Sequence, residues 1–131
     1  MKMRLLLDAS FPEPMSAYSQ PGIELERWQG QALSDVELLR VASSEGYDAV
    51  VFLGRQTLAR TELVSEATRS SGSAGSAMVV THTIDPARAM THVSSHLRTI
   101  RREARSGLIL LILSDGVRVL KPADLESVPK S

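Results

Sequence analysis

The residues best placed to do chemistry are three acids and the gap where a fourth would stand. Asp8 closes the short apolar run Arg4-Leu5-Leu6-Leu7. A buried parallel strand that ends in an aspartate delivers its carboxylate to the crevice at the carboxyl edge of the sheet, where open α/β sheets bind their ligands. Asp35 and Glu37 stand at the start of a helix-like segment, at a second strand-to-helix junction that opens on the same edge. Convergent carboxylates are the hard oxygen ligands that Mg²⁺ or Mn²⁺ requires, and an ion held that way activates water against a phosphoryl group. A lone carboxylate does not hold such an ion, so the function turns on which acids reach Asp8. After the apolar run Ala49–Leu53 the chain reads Gly54-Arg55-Gln56-Thr57, with no acid.

Each of these residues also has a structural role open to it. Asp8 can cap a local turn. Asp35 falls at the first helical position, where the helix dipole favours negative charge. Glu37 lies three residues after Ser34 in an S-x-x-E capping box. Arg55 can bind a phosphate with its fork of donors, pair with Asp8 in place of a metal, or sit solvated in a loop. His92 and His96 share a helix face at i,i+4, with His82 as a conceivable third zinc ligand, but H-x-x-x-H without an accompanying acid reads equally as surface histidines. Arg98, Arg101, Arg102 and Arg105 collect near the end of the same helix. They can complement its dipole, contact a phosphate backbone or anchor an acidic partner, and Arg98, Arg101 and Arg105 share one face.

The elements that must position these groups alternate between short β-like and longer helical runs. Strands are expected at 3–7, 49–53 and 77–81, with a half-buried or edge strand at 23–27, where apolar and charged residues alternate. A short helix is expected near 15–19 after Pro12 and Pro14, and a further one over roughly 57–68. Ser34 to Glu45 reads as a capped helix with Val36, Leu38, Leu39 and Ala42 as its apolar face and Gly46 as its stop. Residues 70–76 are Ser/Gly-rich loop. The longest helix is expected from Asp85-Pro86 to about Ser106, with Met90, Val93, Leu97, Ile100 and Ala104 as a seam that packs on the sheet. Asp115-Gly116 between the runs 108–113 and 117–120 predicts a closing hairpin. The fold class is therefore α/β: three layers, a mainly parallel central sheet with helices on both faces, and a C-terminal β-hairpin. Residues 1–120 form one domain and 121–131 a frayed tail.

With 131 residues, 43% of them hydrophobic and 23% charged, the chain suits a single domain with its own core. Formal net charge is zero, so RNA binding would have to come from a local patch. The absence of cysteine excludes disulfides and thiolate metal sites. Nothing resembles a signal peptide or a membrane span, so the expected location is the cytoplasm and no membrane partner is expected. Aromatic residues are few, which argues against a base-stacking platform; Tyr18 and Trp28 are candidate partner anchors.

The order of elements resembles the PIN-like nuclease fold, in particular the small single-domain proteins related to VapC-type toxins. The resemblance is carried by Leu5-Leu6-Leu7-Asp8-Ala9, Gly22-Ile23-Glu24-Leu25, Ser34-Asp35-Val36-Glu37-Leu38-Leu39, the strand at 49–53, and the closing Gly107–Leu113 with Asp115-Gly116-Val117-Arg118-Val119. It implies a Mg²⁺- or Mn²⁺-dependent endoribonuclease of toxin–antitoxin type. Asp8 matches the family's first acid, and Asp35 or Glu37 the acid opening the following helix. The asparagine two residues after the first acid is Ser10 here, and the acidic segment after the third parallel strand is the acid-free 54–57. Two functions stay open: catalysis by Asp8 and Asp35 through a divalent ion, with RNA as partner, and a non-catalytic domain that binds RNA or a small antitoxin-like protein. A homo-oligomer is compatible with either.

Overall fold

The computed structural model describes residues 3–12, 20–59, 76–104 and 108–120. Its centre is a six-stranded sheet. In chain order the elements are β1 (Met3–Leu7), β2 (Ile23–Arg27), α1 (Asp35–Ser44), β3 (Ala49–Phe52), a 3₁₀ turn (Arg55–Ala59), β4 (Ala77–Thr81), α2 (Pro86–Ser95), α3 (Leu97–Glu103), β5 (Ile109–Leu113) and β6 (Gly116–Leu120). The strands lie in the order β2-β1-β3-β4-β5-β6. All neighbours are parallel except β5 and β6, which form the antiparallel hairpin that Asp115-Gly116 predicts. The order 2-1-3-4-5 is one of the two common doubly wound arrangements.

Side-chain alternation divides the core into two. Leu5, Leu7, Ala49, Val51, Ala77, Val79, Leu110 and Ile112 face one side and meet Met90, Val93, Leu97 and Ile100. Leu6, Val50, Phe52, Met78, Val80 and Leu111 face the other and meet Leu38, Leu39 and Ala42 of α1 together with Leu58 of the 3₁₀ turn. Strands buried on both faces need continuous apolar runs, which is why β3 and β4 carry no charge. β2, at the edge, has one buried residue, Ile23, followed by four half-buried ones.

α1 begins and ends where its caps require. Ser34 Oγ accepts from the Glu37 amide at 3.2 Å while Glu37 Oε1 accepts from the Ser34 amide at 3.0 Å. Gly46, just past the helix, has φ +81°, a conformation that side-chain-bearing residues resist.

The expected single helix from 85 to 106 is two helices. His96 leaves helical geometry at φ −118°, ψ 20°. The hydroxyls of Ser94 and Ser95 both donate to the Thr91 carbonyl, at 2.9 and 2.8 Å. Such back-bonding competes with the backbone ladder, and serine pairs are recognised sites of kinks. The apolar seam survives the break, because the four-residue step from Val93 to Leu97 keeps both helices on the sheet. The helix expected at 57–68 starts earlier and as a tighter 3₁₀ turn. Its continuation, the helix near 15–19, the 70–75 loop and the 121–131 tail lie outside the described residues.

Candidate functional site

The carboxyl edge of the sheet has one point where the connections diverge. From β1 the chain passes to β2 on one side, and from β2 it crosses to β3 on the other. Asp8 stands at this switch point, the usual ligand crevice of such sheets. Its amide donates to the Val51 carbonyl at 3.0 Å, which extends the β1–β3 ladder by one rung. Alternation along β1 assigns position 8 to the face of Leu6, the α1 side.

Asp8 also caps a turn. Oδ1 accepts from the Ser10 amide at 2.9 Å and from Ser10 Oγ at 3.2 Å. The Phe11 amide donates to the Asp8 carbonyl at 3.0 Å, and Phe11 is buried in the core at 1% exposure. Ser10 thus orients the carboxylate, and among the described residues Oδ2 accepts no hydrogen bond.

Asp35 opens α1 at the same edge and on the same side of the sheet as Asp8. Glu37 is committed to the capping box, and the Ser34 amide, followed by the Ser34 hydroxyl, holds its carboxyl below the usual value. Topology thus puts Asp8 and the α1 N-terminus that carries Asp35 at the same edge of the sheet, while Glu37 is engaged locally by Ser34.

The segment after β3 carries hydroxyls instead of acids. Gly54 has φ +91°, and a Cβ there would lie 3.2 Å from Ile84 Cγ2. Its amide donates to Thr81 Oγ1 at 3.1 Å, Thr57 Oγ1 donates to its carbonyl at 2.8 Å, and Thr81 Oγ1 donates to the Thr83 carbonyl at 2.9 Å. These neutral bonds staple the ends of β3 and β4 together. The Arg55 side chain lies outside what is described.

Beyond that staple an open groove of about 710 Å³ runs along the ends of β4 and β5. His82, Thr83 and Ile84 line it from the loop after β4, Arg88, Thr91 and His92 from α2, and Ser114 from the β5–β6 turn. His92 Nδ1 is buried and has no hydrogen-bond partner among the described residues. His92 lines the groove, and His96 Nε2 lies 3.4 Å from the carbonyl of Ser114, which lines it as well. Among the described residues no three His, Asp or Glu side chains come together as a metal site. The residues Thr83, Ile84 and Ser114 carried no signal of their own in the sequence. The run Thr81-His82-Thr83-Ile84-Asp85-Pro86 at a strand-to-helix junction was the available clue.

The arginines lie elsewhere. α2 leaves the carboxyl end of β4 and α3 reaches the amino end of β5, so α3 approaches the opposite edge. A Cβ on Gly22, just before β2, would lie 2.9 Å from Arg101 Nη1, and Arg102 Nε donates to Glu103 at 3.1 Å. A five-residue strand at about 3.3 Å per residue puts the two edges roughly 16 Å apart. Arg98 is exposed on the same helix, and Arg105 is outside the described residues. Trp28 is no open anchor. Its ring covers Gly30, where a Cβ would lie 2.5 Å away, Nε1 donates to the Gln31 carbonyl at 2.9 Å, and the side chain packs on the α1-side core. Tyr18 lies outside the described residues.

Comparison with protein-family models, with curated proteins and with solved structures finds no match to this chain. Among the described residues no helix is long and apolar enough to cross a membrane.

Proposed function

We propose that the protein is a PIN-like domain that acts on RNA at the Asp8–Asp35 corner, as a divalent-metal-dependent endoribonuclease of toxin–antitoxin type. The observation that carries this reading is the position of Asp8: a carboxylate oriented through Oδ1 by Ser10 and standing at the switch point of the sheet. Mg²⁺ commonly takes only one or two carboxylates and completes its shell with waters and substrate phosphate oxygens, so a pair of acids fits it, with weak affinity before RNA arrives. Asp8 and Asp35 would hold the ion, which supplies an activated water and offsets charge on the scissile phosphate. Ser10 keeps the Asp8 carboxylate in one orientation, and the α1 N-terminus adds positive potential beside the phosphate.

A second reading has its own support. With Glu37 engaged by Ser34 and the 54–57 turn stapled by hydroxyls, the corner is poor in acid. On that reading the domain binds RNA or a small antitoxin-like protein without cutting it.

Cleavage of an unstructured RNA with Mn²⁺, run beside a calorimetric Mn²⁺ titration, separates the two. Mn²⁺-dependent cleavage that disappears in Asp8→Asn supports catalysis. Binding of RNA with no cleavage at saturating Mn²⁺ supports the second reading. Under the nuclease reading, Arg55→Asp raises Mn²⁺ affinity by adding a third acid.

A further inference from the structure

We propose that the groove at the ends of β4 and β5 is a nucleotide subsite, in which His92, Arg88 and the neighbouring hydroxyls take a phosphate and Ile84 packs against the attached sugar or base. The choice of RNA as its natural source rests on the function proposed above; the phosphate chemistry does not.

The lining has the make-up of a small-anion site with an apolar shelf. At about 710 Å³ the groove falls within the range of small-ligand pockets. Its donors come from three separate segments, so they converge on one space instead of forming a solvated row. The histidine is the most specific of them. A neutral imidazole carries one N–H and one lone pair. His92 lines the groove, and its Nδ1 is buried with no hydrogen-bond partner among the described residues, so the ring has unused hydrogen-bonding capacity there. An imidazole N–H presented to the groove would donate to an oxygen anion.

The hydroxyls have matching capacity. Thr83 Oγ1 accepts from the Asp85 amide at 3.2 Å, which leaves its own hydrogen to donate. Arg88 sits with its side chain 78% exposed, 3.9 Å from Asp85 Oδ2. At that distance and exposure the pair is weak, and the guanidinium is available to turn into the groove. Asp85 is the opposing charge, and its Oδ1 is occupied by the Ala87 and Arg88 amides at 3.0 and 3.5 Å.

Ile84 gives the groove its selectivity for more than bare phosphate. It is 69% exposed, against 37% for Val119, the other exposed large apolar side chain among the described residues. It lies beside Gly54, two residues past the end of β3, and β3 is the strand whose Val51 carbonyl accepts from the Asp8 amide. An apolar shelf thus joins the groove to the carboxylate corner, two to three strand spacings of about 4.8 Å away. A short oligonucleotide laid along the carboxyl edge spans both. A metal in the groove is the weaker assignment, because its two histidines gather no third ligand among the described residues.

The test is a chemical-shift titration of the full chain in EDTA, without divalent metal, with adenosine 5′-monophosphate, inorganic phosphate and an unstructured oligoribonucleotide. The expected result is a saturable shift of the Ile84 methyl and the His82 and His92 rings by the mononucleotide, weakened tenfold or more in Arg88→Gln and in Ile84→Ser, both surface changes that leave the fold intact. Tighter binding of the oligonucleotide, lost in the same variants, identifies RNA as the source. Equal or tighter mononucleotide binding identifies a free nucleotide. Phosphate that shifts the groove as strongly as the mononucleotide, the mark of an adventitious ion only, overturns the proposal. So does an oligonucleotide that shifts Asp8 and α1 but not Ile84. Asp8→Asn retains mononucleotide binding and removes cleavage, so failure of the groove and failure of the nuclease reading are separately visible.

Discussion

The two edges of the sheet are built from similar side chains and do opposite things with them. At the amino edge, Arg4 lies over the Tyr47 ring at 4.2 Å and pairs with Glu24 and Glu26 at 3.8 and 3.9 Å. Its amide donates to Asp48 Oδ2 at 2.8 Å and Nη1 to the Glu45 carbonyl at 3.1 Å. The Tyr47 hydroxyl donates to Glu26, and Ser76 Oγ donates to the Tyr47 carbonyl at 2.6 Å. At the carboxyl edge, among the described residues, Asp8 Oδ2 and His92 Nδ1 have no hydrogen-bond partner, and Ile84 is exposed. The difference shows that polar residues closed upon each other hold the strands in register, while polar residues left half-satisfied mark where a ligand completes the set.

The largest effect expected from breaking this contrast is at Asp8. Asp8→Asn keeps Oδ1 as the acceptor for Ser10 and removes the charge. Under the nuclease reading it lowers Mn²⁺-dependent cleavage by about 100-fold or more, on the several kcal/mol that metal-assisted charge stabilisation supplies, while the melting temperature stays near wild type. A comparable loss of stability in Asp8→Asn would make the two edges alike.

Next comes Tyr47, which is 8% exposed. Tyr47→Phe removes the hydroxyl from Glu26 and costs about 1–2 kcal/mol in denaturant unfolding, with no effect on RNA. Burial, and after it the hydrogen bond to Glu26, pushes the Tyr47 hydroxyl up to about 12 from 10.0. A raised value means that its contribution is whole below pH 10 and is lost as pH climbs to about 12. Tyr47→Phe flattens the stability curve in that window.

Ser34→Ala, between the two edges in function, costs about 1 kcal/mol by opening the capping box. It also releases Glu37. The lowered Glu37 value makes its contribution present above pH 4.5 and lost as pH falls through the folded-state value, and the variant loses that acid-side dependence.

The smallest effect is expected for the arginines of α3. Arg98→Gln with Arg102→Gln shifts stability by no more than about 0.5 kcal/mol. Because α3 ends at the amino edge, the double variant leaves the salt dependence of RNA binding unchanged. A slope lower by about one unit per arginine would place the RNA path there instead.

Much of this protein was determined by local sequence. The short β-branched apolar runs of β3 and β4 suit buried strands, the Ser34–Glu37 box is a contact across three residues, and Asp115-Gly116 sets its own turn, so these elements and the α/β class were legible from short-range chemistry. Asp8 was legible for the same reason: a strand in this pattern opens its carboxyl end on the ligand crevice. Tertiary structure alone decided which distant residues share an edge. Sequence periodicity puts the arginines and His92 on one amphipathic helix, but only the direction of α2 and α3 across the sheet sends His92 to the carboxyl edge and Arg101 to Gly22 at the other. The break at His96 arises from two serine hydroxyls competing for one carbonyl, a choice that helical periodicity does not register. The groove, finally, joins residues 82–92 to residue 114 through the pairing of β4 with β5, and strand pairing is a long-range contact that no window of sequence contains.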